Sequence, residues 1–246
     1  MKNIVIIGAT SAIAQACAQI WAKQGHSLIL VGRSQSKLEA VAADVETRGA
    51  QAVSVLVEDL AETTAGERIF AACKAQGRQI DYVLVAHGTL PDQGLCQEDP
   101  NYALQEFNTN GLSVIALLTH LAKHMEAQRH GTIGVISSVA GDRGRGSNYL
   151  YGAAKGAVTI FCSGLRARLS KLNVHVLTIK PGFVATPMTA GLPLPAKLTA
   201  TPDAVAQDII KGFDKKRNVI YTPSFWLPIM LVIKMIPEFI FKKLSI

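Results

Sequence analysis

The sequence predicts an α/β fold, one domain with a doubly wound parallel sheet and helices on both faces. Short β-branched runs alternate with amphipathic helical segments along the chain, the pattern of a parallel sheet wound right-handed. The runs are apolar throughout rather than alternating, as strands buried on both faces are. Of 246 residues, 49% are apolar and 17% charged, which allows a large core and argues against disorder.

The elements follow in order. "NIVIIG" is a buried strand, and "SAIAQACAQIWAKQG" a helix ended by Gly25. "SLILVG" is the second strand; "SQSKLEAVAADVETRG" is a helix with Ser34 as its cap and Gly49 as its stop. "AVSVLVEDL" is the third strand, "ETTAGERIFAACKAQG" the third helix and "IDYVLVAHG" the fourth strand. Residues 99–129 read as helix in two pieces, "GTIGVISS" as the fifth strand, 149–171 as a long helix and "VHVLTIKPG" as the sixth strand. "TPDAVAQDIIKGF" is a helix opened by Thr201 and Pro202, and "NVIYTP" a last short strand. No internal repeat or low-complexity linker divides the chain. Residues 1–222 form the domain and 223–246 an apolar, basic tail.

The first strand ends at Gly8 and a helix starts directly after it. The backbone N–H groups at such a helix start suit a pyrophosphate, so Gly8, Thr10, Ser11, Ala12 and Ile13 are candidate cofactor contacts. A dinucleotide fingerprint has three glycines here; Ala12 and Ala14 stand in place of the second and third, which narrows the site. At the end of the second strand comes Arg33, then Ser34, with no acid until Glu39. A ribose 2′-hydroxyl calls for an acid there and a 2′-phosphate for a base, so NADP(H) is expected over NAD(H).

"YLYGAAKGAV" places Tyr151 and Lys155 four apart, on one helix face. A phenol titrates near ~10, and a neighbouring ammonium lowers that value, giving a general acid for carbonyl–alcohol interconversion. Gly152, Ala153 and Ala154 are expected to let the helix lie close to the sheet and to a flat nicotinamide ring. An isolated Tyr-x-x-x-Lys is common on amphipathic helices; context singles this one out. Ser138, thirteen residues earlier, closes the fifth strand beside the expected cofactor, and Ser137 should point the other way. Asn108 and Asn110 precede a long helical run.

With these motifs the chain resembles the classical short-chain dehydrogenase/reductases over residues 1–222. The resemblance rests on the first Gly turn, "EDL", "VAHG", "GVISSVAG", "YGAAK" and "KPGFVAT", in the family's order and spacing. It implies a Rossmann fold and a catalytic set in which Ser138 orients the substrate oxygen and Tyr151 donates the proton. Lys155 would lower the tyrosine pKa and bind ribose hydroxyls, and Asn110 would hold a relaying water. Asp59 and Leu60 would lie along the adenine, Ala86 and Gly88 would line its pocket, and Pro181, Gly182, Val184 and Thr186 would meet the nicotinamide half. His87 replaces the family's usual asparagine and is read as structural. The family's habits imply a homodimer or homotetramer.

The tail gives a narrower resemblance. Residues 211–246 hold seven basic residues against two acidic ones, most of the net charge of +7. The rest of the chain is near neutral, so a nucleic-acid surface is not expected. The apolar run from Phe225 to Ile233 is broken by Pro228 and stops at Lys234, too short to span a bilayer. Its aromatic and basic residues suit a membrane interface, and equally burial between subunits. The ending is similar to the branch that includes the decaprenylphosphoryl-2-keto-pentose 2-reductases, which implies a lipid-linked keto sugar as substrate, with residues 186–202 as a lid. The alternatives are a soluble reductase of 3-oxoacyl or small ketone substrates, and an NADP(H)-binding sensor or scaffold without turnover. Four scattered cysteines predict no metal and no disulfide, and the short N-terminal apolar run predicts a cytoplasmic protein.

Overall fold

A computed structural model describes residues 1–75, 77 and 79–244. Its sheet has seven parallel strands: β1 (Asn3–Ile7), β2 (Ser27–Gly32), β3 (Ala52–Val57), β4 (Tyr82–Val85), β5 (Gly131–Ile136), β6 (Val174–Pro181) and, after two short strands, β9 (Val219–Thr222). They lie in the order β3-β2-β1-β4-β5-β6-β9. The chain therefore reverses direction across the sheet between β1 and β4. The carboxyl ends of those two strands open a crevice, the standard ligand position in such sheets.

Side chains alternate across the sheet. Ile4 and Ile6 of β1 face one core, with α1 (Ala12–Lys23), α2 (Gln35–Thr47) and α8 (Pro202–Asp214). Val5 and Ile7 face the other, with α3 (Ala65–Ala75), α6 (Ser113–Gln128) and α7 (Tyr149–Leu169). The third helix, expected to run through Gln76, is described to Ala75; Gln76, Arg78, Ser245 and Ile246 lie outside the described residues.

Between β4 and β5 the chain is helical in more pieces than the sequence suggests. The helices α4 (Gln93–Glu98) and α5 (Pro100–Phe107) lead into a π-helical turn, Asn108–Leu112, that continues into α6. Such a turn inserts one residue into the helix and re-aims the side chains beside it, which periodicity does not reveal. The strands β7 (Phe183–Val184) and β8 (Thr199–Ala200) pair in parallel and tie down both ends of the segment between them.

The tail is docked rather than free. In α9 (Trp226–Met235), Pro228 lies in the first turn, where its missing N–H costs nothing, so it helps start the helix instead of breaking it. Trp226 and Met230 are buried against Val139 and Phe183. The indole fills the space a side chain would need at Gly182: a Cβ there would sit 1.9 Å from Trp226 Nε1. Arg143 closes the far end. Its Nη1 donates to Ile233 O (2.7 Å) and Ile236 O (2.6 Å), and its Nη2 to Glu238 Oε2 (2.9 Å). The guanidinium also stacks 3.7 Å over Phe241 of α10 (Glu238–Phe241). Among the described residues, no helix is long and apolar enough to cross a membrane.

Candidate active site

A cleft of about 870 Å³ lies at the carboxyl ends of the strands. Its wall includes Gly8, Thr10, Ser11, Ala12, Ile13, Arg33, Leu60, Ala86, Gly88, Asn110, Ser138, Tyr151, Lys155, Pro181, Gly182, Val184 and Thr186, so the structure brings together nearly every residue singled out from the sequence. Ser34 and Asp59 stand outside the wall. Asp59 Oδ1 accepts from Ala61 N (3.0 Å) and closes its own turn. Ser34 occupies the N-cap of α2, yet its side chain makes no cap hydrogen bond and faces Ser36 Oγ at 3.4 Å.

The first turn is set by packing. Gly8 has φ +80°, and a Cβ on it would lie 2.6 Å from His87 N. Glycine there lets the β1–α1 turn rest on the end of β4. Helix α1 starts at Ala12, and the N-cap Ser11 makes no side-chain cap bond, which leaves the first N–H groups facing the cleft. His87 Nε2 lies 3.1 Å from Ser113 Oγ, which donates to Thr109 O, so this histidine ties β4 to α6. Burial holds it neutral, with a pKa lowered to about 3. Its buried Nδ1 has no partner among the described residues and is left as an acceptor beside the cleft.

The two serines at the end of β5 diverge as alternation requires. Ser137 Oγ donates to Lys155 O (2.9 Å) and contacts Thr159 Oγ1 (2.7 Å), fastening α7 to the sheet. Ser138 Oγ accepts from Ala140 N (3.1 Å) and lines the same cleft as Tyr151. The small residues of α7 serve other contacts than expected. Gly152 lies under Ala140 O, where a Cβ would approach to 2.8 Å, and Ala154 packs against Gly111. Ala153 is exposed and is not part of the cleft wall. The helix is thus drawn against the turn Val139–Asp142 and the π-helical turn.

Lys155 is 3% exposed, and its Nζ donates to Ile136 O (3.3 Å). It stands 5.7 Å from the centre of the Tyr151 ring. A single point beside Gly88 lies 2.8 Å from Asn110 Oδ1 and 3.5 Å from Lys155 Nζ, so these two side chains converge there. Asn110 is itself fixed: it accepts from Thr89 N (3.0 Å) and donates to Thr89 Oγ1 (2.9 Å) and Glu106 O (3.1 Å). The expectation that lysine makes the phenol acidic needs correction for this state. Burial pushes Tyr151 up to about 12, with Ser138 pulling the other way, and lowers Lys155 to about 8. Desolvation dominates at both groups, so at neutral pH the site holds a loaded acid and a cation.

Behind the site, the buried carboxylate of Asp142 pairs with Lys180 and accepts from Tyr221 Oη (2.6 Å). Neither this network nor Gln93, Arg145 and Asn148, which also line the cleft, was flagged by the sequence. None of them belongs to a short-range motif.

Comparison with known proteins decides the family. A family model described as short chain dehydrogenase matches residues 2–195. The chain belongs to the short-chain dehydrogenase/reductase family. It is 32% identical over 241 residues to an uncharacterized oxidoreductase of Mycobacterium tuberculosis, covering 98% of this chain and 96% of that one. It is 28% identical over 247 residues to another of Streptomyces coelicolor, covering 100% and 96%. Among solved structures, a short-chain dehydrogenase/reductase of Mycobacterium ulcerans shares the fold at a TM-score of 0.82, with 22% identity and coverage of 89% and 87%. A short-chain dehydrogenase of Sphingobium yanoikuyae, solved with NADPH, does so at 0.81, with 23% identity and 97% of each chain. This short-chain dehydrogenase/reductase is therefore an NAD(P)-dependent oxidoreductase. The cleft fits a nicotinamide dinucleotide: free N–H groups at α1, an unpaired acceptor on His87 and a buried cation on Lys155 line it.

Proposed function

We propose that the protein is an NADPH-dependent ketone reductase in which Tyr151 is the proton donor. The observation that carries this reading is that Ser138 and Tyr151 line one cleft, with Lys155 buried one helical turn on and its Nζ 5.7 Å from the centre of the tyrosine ring. When bound, the nicotinamide supplies a hydrogen and two electrons to the carbonyl carbon. The hydroxyl of Ser138 donates to the carbonyl oxygen and orients it. As negative charge gathers on that oxygen, the proton passes to it from Tyr151 Oη, because an alkoxide is a stronger base than a phenolate. The Lys155 ammonium then stands near the phenolate left behind. The high pKa of Tyr151 keeps the acid loaded for reduction. Asn110 holds a water between itself and Lys155, through which the tyrosine is reloaded.

Arg33 supports NADPH over NADH. It follows β2, lines the cleft and is exposed, with no carboxylate partner among the described residues. The nearby acids are engaged: Glu39 accepts from Gln35 and Glu58 from Arg68. The Sphingobium protein was solved with NADPH.

The substrate is an amphipathic ketone met at a membrane surface, of which a lipid-linked keto sugar is one example. Leu231, Val232, Met235 and Phe239 are more than half exposed on the tail, beside Lys234, Lys242 and Lys243. Apolar side chains ringed by lysines suit an anionic interface. Because Trp226 and Met230 are part of the core, the test replaces exposed residues and keeps the tail. The chain should sediment with phosphatidylglycerol vesicles and consume NADPH faster with a long-chain ketone presented in them than with a short soluble one. Changing Leu231, Val232 and Phe239 to Ser should remove both effects. Equal rates for the two ketones, with no sedimentation, would favour a soluble reductase of small ketones.

A further inference from the structure

We infer that the cleft contains a built anion subsite, centred on Arg145 with Gln93 and Asn148, and that the substrate carries an anionic oxygen group near its ketone. The inference deepens the reductase reading and rests on it. Arg145 lies in the loop between the turn Val139–Asp142 and α7, and its side chain lines the cleft. Its Nε is buried and without a partner, and its Nη2 reaches only Met230 Sδ (3.3 Å), a weak acceptor. Among the described residues no carboxylate pairs with it. Asp142, the acid that acts on it most, is already held by Lys180 and Tyr221. A half-buried guanidinium left unpaired is costly, and such a cost is kept where a ligand repays it.

Two neighbours in the same wall are also left with a free polar atom. Asn148 stands at the N-cap of α7, where an asparagine normally accepts from the first turn, but its side chain makes no cap bond. Gln93 takes over that work: its Oε1 accepts from Leu150 N (3.1 Å). This leaves Gln93 Nε2 and Asn148 Oδ1 buried and unpartnered, both lining the cleft with Arg145. Two donors and one acceptor, three and six residues from Tyr151 or joined to its helix, match an anionic oxygen group with an adjacent hydroxyl.

The site is separate from the one that would take the cofactor's phosphates. Arg33 follows β2 and Arg145 follows β5, with β1 and β4 between them in the sheet. Three strand spacings amount to roughly 14 Å. The subsite belongs to the end of the cleft that α9 supports from behind, since Met230 backs the guanidinium.

The test uses the full chain saturated with NADPH, whose affinity is measured first by fluorescence. Inorganic phosphate and acetate are then titrated separately and the melting temperature is followed. Either anion should raise it by at least ~2 °C in the wild type. Arg145→Gln should lose that rise and Arg145→Lys should keep part of it. The larger response tells a phosphate ester from a carboxylate. Arg145→Gln should melt no lower than the wild type without anion, because it removes an unpaired charge. Matched ketones give a second readout: dihydroxyacetone phosphate against dihydroxyacetone, and 3-oxobutanoate against its methyl ester. A preference of about tenfold for an anionic member should disappear in Arg145→Gln. An equal anion response in wild type and Arg145→Gln, or none with either anion, overturns the subsite. Failure to bind NADPH would overturn the reductase reading instead, and the difference between wild type and Arg145→Gln would still decide the subsite.

Discussion

The two ends of the cleft are built by different means. The end formed by β1, β2 and β4 is made of strand ends and one tight turn, and its contacts are mostly backbone on backbone, as where Gly8 N donates to Val31 O (2.9 Å). The end beyond Tyr151 is made of side chains from distant parts of the chain. Arg143 grips Ile236, Asp142 holds Lys180 and Tyr221, and Trp226 fills the space beside Gly182. A backbone-built site comes with the fold and suits a ligand common to the family. One assembled from side chains can change without disturbing the sheet, so it is where the substrate of this chain is encoded.

Four substitutions or conditions test that division, from the largest effect down. Gly8→Val puts a branched side chain into the backbone of His87 at a positive φ. It should abolish NADPH binding and cost roughly 3 kcal/mol or more in urea unfolding. Wild-type affinity in that variant would mean the turn can shift. Trp226→Ala empties a buried site shared by the tail and the cleft wall. It should cost about 3–5 kcal/mol and raise KM for the ketone more than Kd for NADPH. A change in NADPH affinity alone would place α9 at the wrong end of the cleft. Arg33→Glu should leave stability unchanged and cut the preference for NADPH over NADH by about ten- to hundredfold in kcat/KM, as loss of a charged hydrogen bond of about 1.5–3 kcal/mol implies.

The smallest effect is a pH limb. Lys155 is lowered to about 8 by burial, so the ammonium is lost as pH rises through that value. Reduction, followed as kcat/KM, should fall up to about tenfold per unit above it. Lys155 itself does not weaken the fold in that range. Between about 8 and the ordinary lysine value of 10.5 the unfolded chain binds the extra proton, so this group makes stability rise with pH across the window. A flat profile to pH 10 would remove Lys155 from the proton chemistry.

The same division explains what the sequence disclosed. The parallel sheet with helices on both faces, the Gly8 turn and the convergence of Ser138, Tyr151 and Lys155 were legible because each depends on spacing within one element or on the order of elements. Ser34 and Asp59 stand outside the cleft wall and face their own neighbours, as short polar side chains do as readily as they meet a ligand. Ala153 was misplaced because a run of small residues does not say which one faces a neighbour. Arg145, Gln93 and Asp142 stayed hidden because their significance lies in partners far along the chain, and Trp226, expected among the tail's membrane-interface aromatics, is buried for the same reason. The depressed Lys155 and elevated Tyr151 came from burial, which the four-residue spacing does not encode.

The most direct test of the account is Tyr151→Phe, which removes one oxygen from the cleft and leaves the ring in place. With NADPH and a ketone that the wild type reduces, the variant should lose at least ~10²-fold in kcat while its Kd for NADPH stays within experimental error. Turnover at the wild-type rate, with NADPH bound normally, would contradict the assignment of Tyr151 as the proton donor.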